Sequence, residues 1–390
     1  MSISVHSNVK FLTWFNFFVD FTLYGPIAIL YFSKVAGSYA LGLSIFSIEM
    51  ISSSIFELPT GVLSDYIGRR KTVIYGAMCA LMAGIFYALG VNYWYLFVGG
   101  IFAGLARSFY SGNNAALLHE SLRENNQEEE YSKYSGQTSS MFQVALAVSA
   151  LLGGIISYWS FPAVMWLSVL PRLLGLLVAF KLIEPKLLDN KSENNILTHL
   201  KESVANFKRN RELRSLNIVS ILNYGIGETM HQFKAAFIAT LWPVWAIGIS
   251  GTLTHVWATI GFRTGSYLSK KFGFLKVLFL GSIFNRFFSI FMLLTANVIS
   301  PLIMPFTSFT YGVSSVAQDT LFQKHFTNRE RATMGSLNSL AGNLFFGLFA
   351  LVFGMLADKI RPTQAMIVGE VLMFSVVYIY WRLYRTEKAR

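Results

Sequence analysis

The sequence predicts an all-α membrane protein of twelve transmembrane helices arranged in two six-helix halves. Composition, the spacing of apolar runs and the placement of positive charge lead to that class. Hydrophobic residues make up 54% of the 390, and charged residues only 13%, where soluble domains carry roughly 25%. The apolar runs recur at lengths near the ~20 residues that a helix needs to cross a bilayer. Lys and Arg gather in alternate connections, the asymmetry expected of cytoplasmic loops.

The first six spans are read at 11–33, 39–63, 72–91, 94–118, 136–158 and 162–183. The first run is too long for the apolar core of a cleavable signal and reads as a retained helix. Asn92 and Tyr93 separate one pair of spans, and Ser160–Pro162 turns another. The longest polar segment, 184–213, divides six spans from six. From about Ile196 it has helical periodicity and basic residues, which suits the inner membrane surface. The second six spans are read at 214–238, 244–268, 275–297, 299–322, 333–357 and 363–383. The expected organisation is therefore a bundle at 1–183, a cytoplasmic linker at 184–213 and a bundle at 214–390.

Charge sets the orientation. Arg69, Arg70, Lys71, Lys270, Lys271, Arg329, Arg331, Arg382 and Arg385 fall in one set of loops and the C-terminal tail, whereas Lys34, Lys359 and Arg361 lie in the opposite loops. Both termini are then cytoplasmic, in the inner (plasma) membrane. The net charge of +12 belongs to this asymmetry. Nucleic acid is excluded as a partner, because no soluble domain remains to carry it. The 35 Phe, 18 Tyr and 8 Trp suit lipid contact and interfacial belts. Cys79 is the only cysteine, so no intramolecular disulfide forms.

The matched span pattern suggests two homologous halves. An offset of 200 pairs Tyr24-Gly25 with Tyr224-Gly225, Gly61 with Gly261, Gly112 with Gly312, Gly154 with Gly354 and Pro162 with Pro362.

After the second span comes Gly61-Val62-Leu63-Ser64-Asp65-Tyr66-Ile67-Gly68-Arg69-Arg70-Lys71. Gly61 would let helices approach closely, and Gly68 would supply a tight turn. Asp65 could accept from a helix N-terminus or pair with an arginine. The segment resembles the signature loop between helices 2 and 3 of the major facilitator superfamily. Glu57-Leu58-Pro59-Thr60-Gly61 and Arg331-Ala332-Thr333-Met334-Gly335-Ser336 are similar to segments of bacterial efflux-type members. The resemblance implies the major facilitator fold, alternating access, and a cytoplasmic gate formed by Gly61, Asp65, Gly68, Arg69 and Arg70. It also implies that Asp65 meets the start of span 11. The second-half counterpart, Ser266–Gly273, has Lys270 in place of the acid, so only the first half should carry the full lock. Ser149–Gly154 lacks the Gly-Pro pair of the family's antiporter signature.

A charged side chain at membrane depth costs several kcal/mol, so each one asks for a role. Asp20 is placed near the middle of span 1 and Glu49 in the outer half of span 2. The resemblance puts spans 1, 4, 7 and 10 around a central cavity, where Asp20 could carry a proton. Arg107, mid-span 4, could hold a substrate anion or neutralise Asp20 or Glu49. Glu228, His231 and Gln232 share one face of span 7 by the i, i+3, i+4 rule, and a carboxylate beside an imidazole makes a proton site. His255 in span 8 is a lesser candidate. Arg172, Arg286 and Glu370, on spans peripheral in the family, read as packing or interfacial charges. Asp319, His119 and Glu120 read as gate or cap groups.

No phosphate-binding loop and no HExxH or Cys/His metal spacing occurs in the sequence. A catalytic site, a metal and a cofactor are therefore not expected. The leading expectation is proton-coupled efflux of small amphipathic compounds, with Trp14, Tyr24, Tyr224 and Tyr311 near the expected cavity. The alternative is proton-coupled symport of a nutrient or organic anion. From another class, a non-transporting sensor or membrane enzyme would need an output domain or a catalytic cluster. The expected partners are a small-molecule substrate, protons and the lipid bilayer, with the protein monomeric.

Overall fold

The computed structural model describes residues 3–185, 211–325 and 328–388, and among them helices and turns account for all regular structure. The linker expected at 184–213 lies almost wholly outside the described residues. So do the side chains of 331–335.

The helices, in chain order, are α1 (Ile3–Asp20), α2 (Ala28–Ala36), α3 (Tyr39–Ile67), α4 (Arg69–Leu89), α5 (Tyr93–Tyr110), α6 (Asn113–Arg123), α7 (Tyr131–Ser157) and α8 (Phe161–Ala179). They continue as α9 (Arg211–Ile238), α10 (Ile247–Phe272), α11 (Phe274–Leu294), α12 (Ser300–Ile303), α13 (Thr307–His325), α14 (Asn328–Ala357), α15 (Pro362–Leu372) and α16 (Phe374–Lys388). Local chemistry sets their starts. Ser38, Asn92 and Ser160 each cap a first turn with a side-chain oxygen. Pro162 sits in the first turn of α8, where its missing N–H costs nothing.

Among the described residues, eight helical stretches are long and apolar enough to cross a membrane: Ser7–Ala36, Tyr39–Ile67, Arg69–Leu89, Glu128–Ser157, Phe161–Ala179, Phe274–Leu294, Asn338–Ala357 and Pro362–Lys388. The remaining expected spans are interrupted or carry polar groups. Span 4 breaks at Ser111–Gly112, with Gly112 at φ +70°. Span 10 opens in the four-residue α12. α9 holds Glu228, His231, Gln232 and Lys234, and α10 holds His255 and Arg263.

Span 1 is also interrupted, and the interruption directly follows Asp20 near its middle. α1 stops at Asp20, and the chain turns through Thr22–Gly25 before a short 3-10 helix at Gly25–Ile27. Pro26 has no N–H to continue the ladder. Asp20 therefore lies at a helix end rather than within a continuous span.

The helices fall into two compact units. The first contains α1 to α8 together with Val244–Thr252, and its core includes Leu12, Phe15, Val73, Leu117, Leu118 and Leu176. Gly104 of α5 lies so close to α3 that a Cβ would strike the Glu49 carbonyl. Gly248 packs on the Ala150 and Gly154 backbone in the same way, and the Thr252 hydroxyl donates to the Ala147 carbonyl at 3.0 Å. In the second unit α9 packs on α14 and α15, and α11 packs on α13 and α16.

The offset-200 glycine pairs do not share roles. A Cβ at Gly61 would meet nothing within 4 Å, whereas one at Gly261 would strike the Phe309 backbone. Gly112 turns the chain, and Gly312 packs against Ala258 and Phe262. Tyr24-Gly25 lies in the break of span 1, but Tyr224-Gly225 lies inside α9. The structural counterparts are instead Gly68 (φ +94°) and Gly273 (φ +91°), each a one-residue turn between two helices.

Candidate functional site

The motif turn is shorter than its sequence suggests. α3 runs through Ile67 and α4 begins at Arg69, so Gly68 alone reverses the chain. Asp65 is thus in the last turn of α3, not in a loop, and its side chain is 62% exposed. Its partner is Arg69, one helical turn away in sequence, at 3.1 Å. Arg69 also meets Glu120 of α6 at 3.1 Å and donates to the Ser64 hydroxyl at 2.9 Å. Asn113 completes the ring: it accepts from Ser64 at 2.8 Å and donates to the Arg69 carbonyl at 3.0 Å.

The free N–H groups at the start of α4 are met by a residue that sequence reasoning missed. Glu184, just beyond α8, accepts the Arg69 N–H at 2.6 Å and the Arg70 N–H at 2.8 Å. A carboxylate on a helix N-terminus satisfies orphan donors and complements the dipole. A Cβ on Gly68 would come within 2.6 Å of Glu184, so this glycine is required both for its φ and for the space it leaves. Arg70 fastens the same corner by donating to the Phe180 carbonyl at 2.9 Å. Gly61 is exposed, and a Cβ on it would meet nothing within 4 Å among the described residues. Among the described residues no carboxylate meets the second-unit turn at Gly273, where a Cβ would meet nothing within 4 Å.

Deeper in the first unit, Asp20 is half-buried at the end of α1. Arg107, in the last turn of α5 and exposed, is the cation that acts on it electrostatically; no direct salt bridge joins them among the described residues. Glu49 lies half-buried on α3, within electrostatic reach of Tyr24 and Tyr87.

Arg172 takes the packing alternative expected for it and is buried. It is 9% exposed, donates to the Tyr24 hydroxyl at 2.6 Å and to the Ala80 carbonyl at 3.0 Å, and lies over the Tyr24 ring at 5.4 Å. Gly84 leaves room for its guanidinium. The break after Asp20 is therefore pinned from α8 through Tyr24.

In the second unit, Glu228 accepts from Gln232 at 2.7 Å, so its bond runs along α9 to the amide rather than to His231. His231 is exposed and lies within electrostatic reach of His255, while Tyr311 lies within reach of Glu228. The cluster read from one helix thus draws on α10 and α13 as well. Arg286 and Glu370 are also not interfacial: they form an ion pair at 2.6 Å, with side chains 13% and 8% exposed. Ser289 hydrogen-bonds the same carboxylate, and Lys234 acts on it electrostatically. No metal-holding cluster of His, Cys, Asp or Glu occurs among the described residues.

Comparison with known proteins gives a consistent likeness. The sequence profile of the Major Facilitator Superfamily matches residues 11–349. A Methanocaldococcus jannaschii protein named as an MFS-type transporter is 22% identical over 362 residues, covering 90% of each chain. A Buchnera aphidicola protein named as a transporter is 26% identical over 173 residues; the match takes in 44% of this chain and 43% of that relative. Among solved structures, the nucleoside transporter NupG superposes with a TM-score of 0.81 at 12% identity, covering 96% of this chain and 100% of the other. A bacterial homologue of the human lysosomal transporter Spinster gives 0.78 at 16% identity, covering 97% and 96%.

Proposed function

The chain belongs to the Major Facilitator Superfamily and is a membrane transporter of that type, and from this premise we propose that it is a secondary active transporter exporting small amphipathic compounds in exchange for protons. It works by alternating access through twelve spans, in the inner (plasma) membrane, as a monomer with both termini cytoplasmic. Asp20 is the proton-carrying group. The observation that supports this is its position: a half-buried carboxyl at the break of span 1, faced by the exposed guanidinium of Arg107. A carboxyl that exchanges a proton for the approach of a substrate gives the two states of the cycle different affinities for both, which is what coupling requires.

Glu228 and His231 form the rival proton site in the second half. The turn at Gly68, with Asp65, Arg69 and Arg70, serves as the cytoplasmic gate. A second reading, symport of an organic anion, is favoured by the exposure of Arg107.

The test uses proteoliposomes under an imposed pH gradient. Asp20→Asn is expected to abolish gradient-driven flux while leaving substrate exchange partly intact. Normal accumulation in that variant moves the proton site elsewhere, and retention in Glu228→Gln and His231→Ala as well removes both candidates. Uphill export on an inward proton gradient supports antiport, and uphill uptake supports the symport reading.

A further inference from the structure

Between α1 and the start of α7 lies a cavity of about 380 Å³ lined by Val9, Lys10, Thr13, Trp14, Tyr134 and Gln137. All six residues belong to the first unit. The volume falls in the range of small-molecule pockets, roughly 300–1,000 Å³.

Its chemistry is one-sided. Lys10 is exposed, and no carboxylate pairs with it among the described residues. No acidic side chain lines the cavity. Trp14 is 44% exposed, yet its ring is held by stacking on Phe18 at 6.0 Å and by the edge of Phe17 at 5.8 Å. Tyr134 carries the Lys133 ammonium over its ring at 5.0 Å, and Lys133 is itself anchored to Glu130 at 3.2 Å. The Thr13 hydroxyl is already committed to the Val9 carbonyl at 2.7 Å. The lining offers a ligand two oriented aromatic rings and one ammonium.

We infer that this crevice is an entrance site for an amphipathic organic anion, with its acid group on Lys10 and its planar apolar body against Trp14 and Tyr134. A lipophilic cation would meet Lys10 and Lys133 and no counter-charge on the lining.

Polar residues continue along α1 beyond the crevice. Lys10, Thr13, Asn16 and Asp20 recur along one side of α1, over roughly 15 Å at 1.5 Å per residue. Asn16 donates to the Thr138 carbonyl at 3.3 Å and accepts from Asn114 at 3.4 Å. An anion seated on Lys10 therefore lies about three helical turns along α1 from Asp20. The inference rests on the transport reading for this place on a route; the binding itself does not depend on it.

The experiment measures binding of three probes of the same shape to the full-length protein in lipid nanodiscs: naphthoate, naphthylmethanol and naphthylmethylamine. Naphthoate is expected to bind roughly 5- to 10-fold more tightly than the neutral alcohol, as a charge-assisted contact allows. The amine should show no advantage. Lys10→Gln should erase the preference for naphthoate, and Lys10→Glu should transfer it to the amine. Trp14→Ala should weaken all three probes about tenfold through the lost ring contact. Thermal unfolding checks that each variant is folded. Equal binding of the three probes to the parent protein, or a naphthoate preference that survives Lys10→Gln, overturns the inference. Lys10-dependent binding without any gradient-driven flux sinks the transport reading and leaves this one standing.

Discussion

Glu184 closes the helix that Arg69 opens: its carboxylate accepts the Arg69 backbone N–H at 2.6 Å and, with its other oxygen, the next N–H at 2.8 Å. The residue after α8 thereby fixes the turn between α3 and α4, more than a hundred positions away in sequence.

Replacing Glu184 should cost stability without touching the membrane-facing surface. Glu184→Ala leaves two N–H groups without their carboxylate and is expected to lose about 1–2 kcal/mol. Gly68→Ala adds the penalty of a positive φ and pushes the carboxylate away, for roughly 2–3 kcal/mol in total. Gly273→Ala has the strained φ but no carboxylate to displace, and should cost only about 1–2 kcal/mol. Thermal unfolding in detergent ranks the three, and equal losses at the two glycines would dismiss the role given to Glu184.

Asp65 tests the gate. A carboxylate drawn to a helix N-terminus when the cytoplasmic side closes gains about 0.3–1 kcal/mol, and up to ~2 if partly buried. Asp65→Asn should then shift the population toward inward-open by roughly 2- to 5-fold, and by up to about 30-fold at the partly buried limit. Cysteine labelling at the cytoplasmic ends of α6 and α13 should rise, and labelling at the outer ends should fall. A folded variant with unchanged labelling on both sides leaves the motif with no gating role here.

Arg286 and Glu370 form a buried pair whose halves depend on each other. Glu370→Gln, or Arg286→Met alone, strands a charge in a low-dielectric setting and should destabilise by about 3–5 kcal/mol. The double variant Arg286→Met with Glu370→Leu should recover most of that loss, since a packed apolar pair is often neutral or better. A double variant as unstable as either single one would point to a functional demand on the charges beyond packing.

Helix class and the presence of a turn at Gly68 are legible in the sequence because both rest on local rules, whereas the turn's one-residue length is not. Apolar run length marks a membrane helix, and a glycine ahead of Arg69-Arg70-Lys71 marks a tight turn. The break after Asp20 was harder to see. Gly25-Pro26 signals it locally, but the residues around it are apolar enough to pass for a continuous span. Glu184 was invisible for a different reason: its partner is a backbone N–H, and no side-chain pattern announces that. A Glu-Pro step directly after the sixth span was the only cue. For Arg172, Arg286 and Glu370 the sequence leaves packing and interfacial placement both open, because burial depends on which helix packs against them. Helical spacing joins His231 and Glu228, whereas His255 of α10 and Tyr311 of α13 lie within electrostatic reach of them without any sequence signal.

The single-glycine turn at Gly68 leaves α3 and α4 no slack. Neither helix can slide along the bilayer normal without carrying the other, so the pair shares one vertical register. In a thinner or thicker membrane, a mismatch felt by α3 cannot be absorbed by shifting that helix alone. It must be met by tilting both helices together, and the tilt would be transmitted to Glu184 and the end of α8, making the thickness of the surrounding lipid a mechanical input to the corner at Gly68.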